Sequence, residues 1–479
     1  MGGADGGRTR RAEIGSTRSG GTVTAAGTTV RGPRPARVRR GSGGFSRRLR
    51  QLGLLAISQV GLTGLAFLAQ VLLARSLPQQ DFGAFMAVLA LVTLAGPLAI
   101  FGVAEFWLQR FGREGPRAVR WVGPSVVLVL GCSAVQVLVL SAWGLLDRSD
   151  PVLADLRIAL APVILAQAGM ALSVSVLQLQ GRYGRLSALQ LTPHAGRLMT
   201  AVAATLIGLS ALAVGVGYAL VAVLTVGLSV LVLVPFWRRP TRLEGHSSTV
   251  VRPGRPPRMR HLVGGATPFM LGSLFYLLGM NLGVVVTGEF LSAQAAAVVA
   301  VPMSLLTAIY ILPRVVYQQY FLAKLHRWSR SDRDAILIAY RAGTVGMVAV
   351  GVVTAVVVAV GGRYAIPLVF GPAYEESGVL MGLLALAIPF RFGSASVASL
   401  LTSGGLVRRK VWYQGLGSAG YLVTLALTIP TLGVYGVALT TVVTEAMLLV
   451  LFWSSARRNV VGDARLPRWS EISRRLTKE

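Results

Sequence analysis

Five ionisable side chains stand inside stretches that are otherwise apolar: His194, Arg197, Arg314, Arg391 and Glu445. A charge in hydrocarbon is costly, so it is kept where it faces a bundle interior, a water-filled cavity or a partner of opposite sign. Each guanidinium is a planar fork of donors that matches the oxygens of a phosphate or carboxylate. His194 and Arg197 are three apart and share one helical face, and Pro193 opens the backbone beside them. Arg314 follows Pro313, and Arg391 lies two residues after Pro389. Together the arginines could hold a polyanion by charge-assisted bonds. Glu445 has no cation near it in sequence, so it is expected to pair with an arginine of a neighbouring helix or to bind a coupling cation. Arg157 is expected to pair with Asp155, and Glu105 to form a helix-end pair with Arg110. Glu289, at the end of an apolar segment, is expected to be solvated. Gln59, Gln70 and Asn281 are expected to make hydrogen bonds between helices.

The elements that must position these groups are long apolar segments. The chain is 53% hydrophobic and only 14% charged. A bilayer crossing needs roughly 20 apolar residues, and Leu212–Phe236 and Gly343–Gly361 meet that length without a charge. Twelve such segments run from Leu52–Arg75 to Val434–Phe452. The fifth, Leu186–Gly208, carries His194 and Arg197. The eighth, Ala293–Tyr320, carries Arg314, and the tenth, Ser377–Leu401, carries Arg391. This predicts an all-α polytopic membrane protein of about 12 transmembrane helices, in two six-helix halves around a central cavity.

The loops alternate in charge. Arg110/Arg113/Arg117/Arg120, Arg182/Arg185, Arg238–Arg260, Lys324–Arg333, Arg408–Lys410 and Arg457/Arg458 crowd one side. Gln79–Asp81, Asp147–Pro151, Gly208–Ala211, Gly288–Ser292, Gly362–Glu376 and Pro430–Gly433 on the other side carry few cations. Basic loops stay cytoplasmic, which places both termini in the cytoplasm. The expected organisation is an Arg/Gly-rich disordered tail over 1–50, a first half over 51–237 and a basic linker over 238–261. A second half over 262–456 and a cytoplasmic tail over 457–479 complete it.

The formal net charge of +29 sits in short loops beside apolar segments, where orientation and anionic membrane lipid account for it, so no nucleic-acid partner is expected. The single cysteine, Cys132, excludes a disulfide framework and a cysteine-based metal site. There is no GxxxxGK[ST] loop, no HExxH and no nucleophile–base arrangement. No catalytic residue, metal or cofactor is expected, and an enzyme is not.

Local motifs carry a resemblance. Leu73-Ala74-Arg75-Ser76-Leu77-Pro78, then Asp81-Phe82-Gly83, closes the first segment. Later come Phe370-Gly371-Pro372-Ala373-Tyr374, Leu401-Thr402-Ser403-Gly404-Gly405 with Arg408-Arg409-Lys410, and Ile429-Pro430-Thr431-Leu432-Gly433-Val434-Tyr435-Gly436. In this order and spacing, from about Leu52 to Trp453, the chain resembles polysaccharide-repeat exporters. These are lipid-linked oligosaccharide flippases of the multidrug/oligosaccharidyl-lipid/polysaccharide exporter superfamily. Ala296-Ala297 departs from the Gly-x-Tyr usual in that family. The resemblance implies a bacterial cytoplasmic-membrane flippase that carries polyprenyl-diphosphate oligosaccharide to the outer leaflet by alternating access, with polysaccharide polymerase machinery as a partner. Arg197, Arg314, Arg391 and His194 would then meet the diphosphate or acidic sugars, and Glu445 would couple or pair. Two alternatives stay open. One is a cation-coupled drug or metabolite antiporter of the same superfamily, from which more embedded acids are expected. The other is a membrane glycan polymerase or ligase, which would need a large external catalytic loop; Gly362–Glu376 contains no histidine.

Overall fold

The computed structural model describes residues 43–147, 150–238, 243–244, 255–313, 337–403 and 406–462. Most of the N-terminal tail, most of the basic linker, Arg314, the cluster from Lys324 to Arg333 and the C-terminal tail beyond 462 lie outside these residues. The chain divides into two units, Met1–Arg48 and Leu49–Glu479, and the second is the helical bundle.

The described residues are helical, with no strand among them. The first half comprises α1 (Gly43–Ser76), α2 (Gln79–Ile100), α3 (Val103–Glu114), α4 (Val122–Leu146), α5 (Pro151–Leu160), α6 (Pro162–Leu179), α7 (Tyr183–Ile207) and α8 (Ala211–Arg238). The second comprises α9 (Met259–Phe290), α10 (Ala293–Ile309), α11 (Thr344–Phe370), α12 (Glu375–Ala385), α13 (Ala387–Ser403), α14 (Val407–Leu432) and α15 (Val434–Ala456). Nine described helical runs are long and apolar enough to cross a membrane, or ten with the pair Pro372–Ala385 and Ala387–Thr402, which is bent by 45°. One of the nine, Gln79–Leu146, contains both α2 and α4, of 22 and 25 residues, each long enough to cross. The helix α7, of 25 residues, carries the polar pair His194 and Arg197 in its middle.

The bundle is apolar outside as well as inside. Leu206 is 76% exposed and Leu231 70%, the surface of a protein solvated by hydrocarbon rather than water. Buried hydroxyls satisfy themselves on their own helices: Thr225 donates to the Val221 carbonyl at 2.7 Å and Thr441 to that of Val437 at 2.8 Å.

Several expected spans are broken, each for a local reason. Phe101 and Gly102 both take left-handed backbone, φ 52° and 66°, and end α2 before α3 begins. A Cβ on Gly102 would also lie 2.5 Å from the Met270 amide of α9, so the break is tied to the other half. Pro162 lacks an N–H and separates α5 from α6. Asp150 caps α5, its carboxylate accepting from the Val152 and Leu153 amides at 2.9 and 3.2 Å. The two halves meet where α2 packs along α9 and α10. There the backbones nearly touch: a Cβ on Gly83 would fall 1.7 Å from the Ala293 carbonyl oxygen.

Candidate functional site

A cavity of about 470 Å³ opens at the arginine-rich end of the bundle. Its walls are Pro268 to Leu277 of α9, Tyr310 and Pro313 just past α10, Arg391 to Ala398 of α13, Lys410 to Gln414 of α14, and Phe452 of α15. Glu105 of α3 reaches it from the first half. On α13, Arg391, Ser394, Ala395 and Ala398 recur at helical spacing and form one wall. On α14, Lys410 and Gln414 are four apart and form another. Ser418, a turn further, donates to the Phe275 carbonyl at 3.3 Å and locks α14 to α9.

Arg391 is the best-supported side chain there. Its Nη1 donates to Glu445 Oε1 of α15 at 3.1 Å, and its guanidinium lies 5.0 Å from the Tyr276 ring and 5.1 Å from that of Tyr310. Two aromatic faces and one carboxylate hold the cation in a fixed plane. A guanidinium has five N–H donors, so one such partner leaves capacity for a ligand. The other Glu445 oxygen, Oε2, and the Tyr310 hydroxyl are buried without a hydrogen-bond partner among the described residues. Groups of that kind are uncommon and are what a polar ligand can satisfy. Lys410 forms no ion pair among the described residues.

Of the residues singled out from sequence, Arg391 lines this cavity, while Arg197 and His194 are not among its lining residues. Arg197 sits inside the first half, 5.2 Å from the Tyr218 ring, which in turn meets Phe85 edge-on at 5.0 Å. His194 Nδ1, one turn before it, is buried without a partner among the described residues. Arg314 lies outside the described residues. Lys410 was legible only as part of a basic loop. The signal that marks it is the polar stripe Lys410, Gln414, Ser418 at i, i+4, i+8 along one face of the helix.

At the arginine-poor end the two halves are tied together. Arg157, fully buried, donates to Asp147 in its own half and to both carboxylate oxygens of Glu289 at 2.7 Å across the interface. Its guanidinium stacks 4.2 Å from the Trp143 ring. This corrects two expectations. Asp155, two residues from Arg157, points to the opposite side of the helix and is exposed, and Glu289 is paired rather than solvated. Arg75 adds bonds to the Leu368 and Val369 carbonyls at 2.6 and 2.7 Å, and Gln79 donates to the Ala373 carbonyl at 3.0 Å. Two smaller expectations also change. Arg110 pairs with Glu114 at 3.2 Å, one turn on, leaving Glu105 to the cavity. Asn281 bonds its own helix, at the Leu277 carbonyl, 3.2 Å away. Gln59 and Gln190 do bridge α1 and α7, at 3.4 Å.

Two helical halves, a polar cavity at one end and a buried tie at the other define a two-lobed helical membrane fold. The fold superposes on the lipid II flippase MurJ in an inward closed conformation with a TM-score of 0.65, at 12% identity, over 84% of this chain and 87% of that one. An inward-facing multidrug-resistance MATE transporter of the MOP superfamily gives 0.64 at 13% identity, over 84% and 94%. The eukaryotic MATE transporter AtDTX14 gives 0.60 at 15% identity, over 91% and 99%. Residues 49–317 match the family model described as polysaccharide biosynthesis protein, and the chain belongs to that family. No curated relative matches the sequence. The protein is a multi-pass membrane protein of the polysaccharide biosynthesis family, with the fold that MurJ and the MATE transporters share.

Proposed function

We propose that this chain moves a polyprenyl-diphosphate-linked oligosaccharide from the inner to the outer leaflet of a bacterial cytoplasmic membrane, with both termini in the cytoplasm. The observation that carries the reading is the cavity at the arginine-rich end. Arg391 is held there as a fixed fork and Lys410 as a point charge, the two donor geometries that suit a diphosphate. The basic loops at that end support a cytoplasmic orientation for it, on the side where a lipid-linked precursor would be loaded. Membership of a polysaccharide biosynthesis family supports the class of cargo.

In this mechanism the headgroup enters from the cytoplasmic side and its phosphate oxygens take up the free N–H donors of Arg391 and Lys410. Glu445 keeps Arg391 compensated while the cavity is empty, because an unpaired buried cation is strongly unfavourable. Rocking of the halves then requires the Arg157–Glu289 tie to part on the opposite side. Arg197, with His194, offers a further cation inside the first half, for acidic groups of the glycan.

The decisive measurement is mass analysis of lipid extracts from a strain lacking the gene. Accumulation of a complete polyprenyl-diphosphate repeat unit, cleared by the restored gene, is the expected result. Normal lipid pools with altered tolerance to cationic dyes would point instead to a cation-coupled antiporter.

A further inference from the structure

A second cavity, of about 480 Å³, lies between α6, α7 and α8 at the arginine-rich end and shares no lining residue with the first. We propose that it is a binding site for one anionic phospholipid of the leaflet that meets this end of the bundle. The groove faces the membrane rather than the bundle interior. On α7, Gln190 points at α1 and Arg197 at Tyr218 of α8. At 100° per residue, Arg185, Ala188 and Thr192, which line the groove, lie on the far side of that helix. On the facing helix Leu231 lines the groove and is 70% exposed, so hydrocarbon chains have lateral access.

The groove is divided by chemistry along its length. Its floor is apolar, built from Leu177, Leu189, Leu228 and Val232. Its mouth carries Arg182, which caps the start of α7, and Arg185 in the first turn, both exposed and without an ion pair among the described residues. The nearest acid, Glu244, accepts from the Tyr183 hydroxyl at 3.4 Å and does not line the groove. Trp237, 53% exposed, and Arg238 end α8 at the same level, which marks the depth where headgroups lie. A phosphate at the two arginines with an acyl chain along the leucines satisfies both parts, whereas a zwitterionic lipid brings its own ammonium beside the same two cations and gains less. Basic pockets between transmembrane helices bind anionic headgroups by this logic.

The test is native mass spectrometry of the full-length protein, with phosphatidylglycerol or phosphatidylethanolamine added at equal concentration. The wild type should retain one phosphatidylglycerol at least fivefold more than phosphatidylethanolamine. The double variant Arg182→Gln/Arg185→Gln should lose that preference. Leu231→Trp, which fills the groove and leaves both arginines, should lose the bound lipid as well. Arg258→Gln/Arg260→Gln, which removes two exposed cations elsewhere on the same face, should behave as wild type. Absence of a preference in the wild type, retention by Leu231→Trp, or equal loss in the Arg258/Arg260 variant would overturn the site. The last result would reduce it to diffuse surface charge.

Discussion

At Arg391 the side chain is asked to do two things, to stay compensated by Glu445 and to offer its remaining donors to the cavity. The two roles separate in variants. Arg391→Ala and Lys410→Ala are each expected to abolish accumulation of exported glycan while leaving membrane abundance near normal. Arg391→Lys should restore export only partly, since a point charge lacks the fork. Arg197→Ala, whose guanidinium packs on Tyr218 away from that cavity, is expected to lower export less. Glu445→Gln leaves a buried cation with one partner gone, a loss of roughly 3–5 kcal/mol in comparable pairs, read as a lower melting temperature in detergent. The exchange Arg391→Glu with Glu445→Arg should recover that melting temperature and not the export. Recovery of both would mean that the pair is purely structural.

At the level of helices, the tie from α5 to α9 decides which end is closed. Arg157 keeps Asp147 and Trp143 within its own half, so of its own bonds those to Glu289 break when the halves part, along with the Arg75 and Gln79 bonds to the second half. Removing one partner of such a pair costs about 3–5 kcal/mol, while inverting a two-state population from 1:99 to 99:1 takes about 5.5 kcal/mol. Glu289→Gln is therefore expected to raise the share of molecules open at the arginine-poor end several-fold. With Cys132→Ser as background and a cysteine at Ala293, buried where α2 meets α10, the readout is labelling by an impermeant maleimide added outside the cell. Unchanged labelling would show that the small-residue contacts of α2 with α9 and α10 hold that end closed without the ion pair.

Across the whole molecule, an apolar exterior specifies a bilayer, and the charge-sorted loops predict an orientation that can be measured. Reporter fusions should be active on the cytoplasmic side after Arg113, Arg185 and Arg409, and on the opposite side after Gly208, Ser292 and Gly433. Neutralising Arg182 and Arg185 alone should not invert the topology, because five other basic segments agree with them. A reversed pattern at Gly208 and Arg185 together would reverse the direction of transport proposed above.

The all-helical membrane character and the family were legible in the chain because they rest on local quantities: apolar length, and Gly/Pro motifs in a set order. Intramembrane charges were legible too, since cost in hydrocarbon attaches to the residue itself, and a helix partner for Glu445 followed from that cost. Which groups meet depended on the tertiary structure. Arg157 lies two residues from Asp155 and 132 from Glu289, and only the docking of α5 on the end of α9 chooses the distant acid. Lys410 looked like one more loop cation until the packing of α14 against α9 and α13 turned its face into a cavity wall. Sequence separation says nothing of distance once helices cross. The pairing of charges, and hence the shape of the site, was therefore decided by helix packing alone.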